Sequence, residues 1–62
     1  MFLFELYYID IDTGKEIKKM LEVDRNLFDT DKEVFLYAMN MAYDIMKPYE
    51  LFYRLNYNGF LL

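Results

Sequence analysis

Neither cysteine nor histidine occurs anywhere in the 62 residues. A chain this short buries only about 60% of the surface that its unfolded form exposes, and small domains commonly lean on disulfides, a metal or a second subunit. Without cysteine there is no disulfide, no thiolate nucleophile and no zinc–thiolate site. Packing must hold the fold, and the chain is rich in material for it: 56% of the residues are apolar and 21% aromatic. One small core cannot hide all of that surface, so part of it is expected to face a second chain.

The order of local signals leads to the architecture. Residues 2–11 are aromatic and β-branched and predict a strand. Asp12-Thr13-Gly14-Lys15 reads as a turn, with Gly14 free to take positive φ. Residues 16–24 predict a second strand, in which Ile17, Lys19, Leu21 and Val23 alternate with Lys18, Met20, Glu22 and Asp24, completing a hairpin. Thr30-Asp31-Lys32-Glu33 has the form of a capping box, and Asp29, Asp31 and Glu33 suit the positive end of a helix dipole. The helix is predicted over residues 31 to about 46, with Pro48 ending it. Residues 51–57 predict a third strand, with Leu51, Tyr53, Leu55 and Tyr57 on one face and Phe52, Arg54 and Asn56 on the other. Asn58-Gly59 reads as a turn before an apolar tail, Phe60-Leu61-Leu62.

The expected fold is a single α+β domain of ββαβ order, a three-stranded antiparallel sheet packed on one helix. Strand 3 is expected beside strand 1, the more apolar and so the better central strand. The hairpin register is open. A two-residue Thr13-Gly14 turn puts Phe4, Leu6 and Tyr8 on the face of Ile17, Leu21 and Val23. A turn with a Gly14 bulge puts Leu3, Tyr7, Ile9 and Ile11 there instead, because a one-residue slip exchanges the faces. Either choice leaves an apolar row outside. On the helix, Phe35, Ala38, Met39, Ala42, Ile45 and Met46 are expected at the centre of the apolar face. Glu33, Asn40, Asp44 and Lys47 form the polar stripe, and Leu36, Tyr37, Met41 and Tyr43 lie outside the central face.

The composition excludes several function classes. Serine is absent along with cysteine and histidine, so the usual nucleophiles and proton-transfer groups are missing, and no enzyme activity is expected. Two glycines cannot build a phosphate loop. Tyr7-Tyr8-Ile9-Asp10-Ile11-Asp12-Thr13-Gly14 resembles the strand-end acidic motif of haloacid dehalogenase-like enzymes, but the threonine sits one place early and the chain is too short for that fold. As an EF-hand loop, the same stretch has its glycine one position early and lacks the distal bidentate acid. A hairpin turn accounts for it, and no metal or other cofactor is expected. The formal charge is −4, and the one basic cluster, Lys15, Lys18 and Lys19, is flanked by Asp10, Asp12, Glu16 and Glu22. Direct nucleic-acid binding, which rests on phosphate neutralisation, is not expected. No stretch approaches the ~18 apolar residues of a membrane span, and Met1-Phe2-Leu3-Phe4-Glu5 lacks the basic start of a signal peptide. Residue usage weighted to Phe, Tyr, Met, Ile, Asn and Lys points to an AT-rich genome. A cytoplasmic protein of a low-GC bacterial host is the expectation.

Two surfaces remain for function. Glu22, Asp24, Asp29, Asp31 and Glu33 bring five carboxylates from the end of strand 2 to the helix start. With Tyr7, Tyr37 and Tyr43 they form the expected partner-binding set, since tyrosine is favoured at binding hot spots and rim charges steer association. Ile9 and Ile11 are the expected self-interface of a homodimer, the alternative. In size, charge and element order the plan resembles small phage-encoded inhibitors of host machinery: RNA-polymerase inhibitors, uracil-DNA glycosylase inhibitors and anti-CRISPR proteins. That resemblance implies an inhibitor or adaptor acting by protein–protein contact, with a basic nucleic-acid-binding groove as the partner surface.

Overall fold

The computed structural model describes residues 1–60, with the backbone alone at Phe60. Leu61 and Leu62 of the expected apolar tail lie outside the described residues. The elements follow the expected order: β1 (Phe2–Asp10), β2 (Glu16–Val23), a single 3-10 turn (Arg25–Leu27), α1 (Asp31–Asp44) and β3 (Glu50–Phe60). The sheet is antiparallel in the order β2-β1-β3, so the doubly apolar strand is central. Among the described residues, no helix is long and apolar enough to cross a membrane.

The hairpin closes on neither of the two expected turns. Residues 11–14 form a four-residue loop, tied by Asp10 N–H to Lys15 O at 2.8 Å and Gly14 N–H to Asp10 O at 2.7 Å. The Asp10 carboxylate accepts the N–H groups of Asp12 and Thr13 at 2.9 and 3.1 Å, and Gly14 takes φ +73°. This side-chain-capped turn is the local device that selects the register. Tyr8 pairs with Ile17, Phe4 with Leu21 and Phe2 with Val23. The shift from the Thr13-Gly14 alternative is an even number of residues, so the inner face is the same as in that alternative.

The core follows from that parity. Phe4, Leu6 and Tyr8 are fully buried against Val23, Val34, Ala38 and Ala42. The helix presents Val34, Ala38 and Ala42 at i, i+4 and i+8, and the two alanines bring its backbone close to the sheet. Val34 was not expected at the centre of this face. Phe35 and Met39, which were, sit at its edge and are 37% and 39% exposed. Phe35 still packs edge-on against Phe4, with ring centroids 5.1 Å apart.

β3 departs most from expectation. It runs through Asn58-Gly59, where a turn was predicted, and pairs Phe60 with Phe2. The register shift between Phe2 and Phe4 is accommodated by Gly59 at φ +102°. A second irregularity pairs Tyr8 with Phe52 and Tyr7 with Arg54, leaving Tyr53 as the extra residue. Strict alternation therefore fails: Phe52 and Leu55 pack on the core, while Tyr53 stands with Tyr7 and Glu16 on the outer face.

The last turn of α1 is held by side chains from the sheet. The buried Tyr8 hydroxyl donates to Ala42 O at 2.5 Å. Lys19 Nζ donates to Ile45 O at 3.3 Å and to Glu50 Oε1 at 2.7 Å, and lies 4.5 Å from the centre of the Tyr8 ring. Glu50, 5% exposed, also accepts the Lys47 N–H at 2.9 Å. A cation set against orphan helix carbonyls is favourable on both hydrogen-bonding and dipole grounds.

Candidate protein-binding surface

Where β2 ends, Val23 turns into the core and Asp24 begins the 3-10 turn. The Asp24 carboxylate accepts the Asn26 N–H at 3.0 Å. Arg25 then folds back over the connection. Its Nε meets Asp31 at 2.6 Å, and its terminal nitrogens donate to the carbonyls of Phe28 and Asp29 at 2.6 and 3.4 Å. Thr30 caps α1, its hydroxyl accepting the Glu33 N–H at 3.2 Å. The Glu33 carboxylate reaches one residue past the cap, to the Asp29 N–H at 3.3 Å.

The five-carboxylate run therefore divides by role. Asp24, Asp31 and Glu33 brace the turn and the helix start. Glu22 and Asp29 are exposed, and their carboxylates make no hydrogen bond or ion pair among the described residues.

Beside this end lies a groove of about 280 Å³, lined by Met1, Glu22, Val23, Asp24, Leu27, Phe28 and Tyr37. The Phe28 and Tyr37 rings, 5.2 Å apart, form one wall. Leu27 is 76% exposed, the most exposed of the large apolar side chains among the described residues. It sits in a three-residue turn with no buried residue, and none of the described residues covers it. Met1, Leu27 and Phe28 were missed from the sequence; the apolar pair Leu27-Phe28 inside an otherwise polar connection was the available signal.

The structure separates the expected site residues into distinct places. Glu22, Asp24 and Tyr37 meet at the groove, with Asp29, Asp31 and Glu33 next to it at the helix start. Tyr43 stands nearly two turns further along α1, 56% exposed, with its ring edge-on to Phe52 at 5.2 Å. Tyr7 lies on the outer face of the sheet. Its hydroxyl donates to Glu5 at 3.2 Å and the Arg54 guanidinium lies 4.3 Å from the centre of its ring. Ile9, half-buried, shares that face between Glu16 and Leu51. Ile11 stands at the hairpin loop, its N–H bonded to Tyr49 O at 2.8 Å.

The outer face has its own polar ties. The hydrogen bond from Lys18 Nζ, at 3.3 Å, holds the Glu5 carboxyl below its usual range. Tyr53 donates to Glu16, and that bond raises its phenol above the ordinary value. The groove itself is an apolar slot with acids on its rim. That chemistry suits an apolar side chain flanked by cations. No family model, curated protein or solved structure matches the chain.

Proposed function

We propose that the chain is a protein-binding module that acts by contact alone, as an inhibitor or adaptor, and that the groove at its acidic end receives the partner. The observation that carries this reading is Leu27, 76% exposed in the lining of an apolar slot that Glu22 and Asp24 also line. Exposed apolar surface rimmed by polar groups is characteristic of interaction sites. The charge on the rim selects a partner segment that places Lys or Arg beside an apolar anchor. Surfaces that bind nucleic acid carry such segments, which supports an inhibitor of a nucleic-acid-binding protein.

The test separates the acidic end from the outer face of the sheet. Immobilised chain would be used to capture partners from a bacterial lysate at low and high salt. Leu27→Asp and the double variant Glu22→Lys/Asp29→Lys are expected to lose the captured protein while keeping their circular dichroism. Leu51→Asp, on the outer face, is expected to retain it. Capture that survives both groove variants would sink the proposal.

A further inference from the structure

The helix covers one face of the sheet, and no other described element covers the second. On that second face the strand register sets side chains in rows across the sheet. One row is Glu16, Ile9 and Leu51. The next is Lys18, Tyr7 and Arg54. The third is Met20, Glu5 and Asn56. Leu51 is 56% exposed, Tyr53 46% and Met20 49%, so much of the apolar surface on this face stays exposed among the described residues.

We propose that this face is a self-interface, on which two copies stack sheet to sheet about a twofold axis perpendicular to the strands, passing between the Ile9 and Tyr7 rows. The charges choose this arrangement. An axis parallel to the strands would lay β2 over β3 and set Lys18 against Arg54 of the second copy. A perpendicular axis through a row would set Lys18 on Lys18, Glu16 on Glu16 or Glu5 on Glu5. One between the Tyr7 and Glu5 rows would set Glu16 on Glu22. The axis through the Glu5 row would bring Lys18 to Glu22, but with Glu5 facing Glu5; the axis between the Ile9 and Tyr7 rows brings opposite charges together with no like pair face to face. It sets Lys18 against Glu16 of the second copy, twice by symmetry, and Tyr7 against Ile9. Size agrees: ordinary interfaces cover about 800 Å² on each partner, and the molecule measures 39 × 19 × 13 Å, so only its broad side is of that order.

Sedimentation equilibrium of the full chain over a hundredfold concentration range tests this. The wild type is expected to dimerise, and Lys18→Glu or Glu16→Lys alone to weaken the dimer by about tenfold or more, as like charges face each other. Lys18→Glu combined with Glu16→Lys is expected to restore it, because the reversed pair is again complementary. Leu51→Lys gives a second route to dissociation should a single charge variant fail to fold, and Leu27→Asp at the groove is expected to leave the dimer intact. A wild type that stays monomeric overturns the proposal. So does a dimer indifferent to the single changes, a double variant no better than the singles, or a different protein occupying this face of a monomer.

Discussion

Replacing Tyr8 by Phe removes one hydroxyl and keeps the ring. That hydroxyl is fully buried and donates to the Ala42 carbonyl at 2.5 Å. Ala42 lies in the last turn of α1, and the N–H that would normally reach it, that of Met46, bonds instead to Tyr43 O at 3.4 Å. Tyr8→Phe therefore strands a buried carbonyl. Leaving such a group unpaired costs about 1–3 kcal/mol. At roughly 0.05–0.15 kcal/mol per residue, a chain of this length has only about 3–9 kcal/mol of stability. A loss of about 1–3 kcal/mol corresponds to a drop in Tm of roughly 8–23 °C for a domain this small. Thermal and urea unfolding followed by circular dichroism would measure it. Tyr43→Phe, at an exposed ring, is the control and is expected to stay within about 0.5 kcal/mol of wild type. If Tyr8→Phe matches that control, the hydroxyl does not hold the end of the helix and the reasoning fails.

Two further outcomes concern titration. The Lys19 hydrogen bond, then the Lys47 N–H, hold the Glu50 carboxyl below its usual 4.5. With the folded value lowered, the stability it confers is complete above about 4.5 and is lost as pH falls through the folded value. Urea midpoints of Glu50→Gln are expected to lie below wild type at neutral pH and to converge with it in acid; parallel curves would contradict the linkage. Glu5, held down by Lys18, adds a contribution of the same sign and is intact in both proteins. Spectrophotometric titration should find Tyr8 and Tyr53 ionising above the ordinary 10, Tyr8 through burial and Tyr53 first through its hydrogen bond to Glu16. Glu16→Gln should bring Tyr53 down and leave Tyr8 in place, and an unmoved Tyr53 would rule out that bond.

Much of the fold was legible because several local signals agreed. β1 is apolar on both faces and so became the central strand. Thr30 and Glu33 form a cap in the structure as the residue pattern predicts, and the helix stops short of Pro48. The hairpin register was not legible, since Gly14 suits more than one turn. The choice rests on the Asp10 side chain, whose role depends on the turn that it creates. Lys19 appeared in the inward row of β2, but its partner Glu50 is 31 residues away, and nothing local announces the pair. The irregularity at Tyr53 is set by pairing with β1, which strict alternation cannot anticipate. The candidate site was only half visible. Its acids stood out as a run, although three of them brace the connection. The groove itself is assembled from Met1, the end of β2, the 3-10 turn and one face of α1, a conjunction that exists only once the chain has folded.

The most direct test of the groove as a partner site is a ¹⁵N–¹H NMR titration of the full chain with two short peptides. One has a leucine flanked by arginines, and the other has the same leucine flanked by glutamates. Saturable shifts confined to the neighbourhood of Glu22, Asp24, Leu27, Phe28 and Tyr37, with the basic peptide alone and weakened by salt, are the expected result. Equal responses to both peptides, or shifts that leave these residues unmoved, would contradict it.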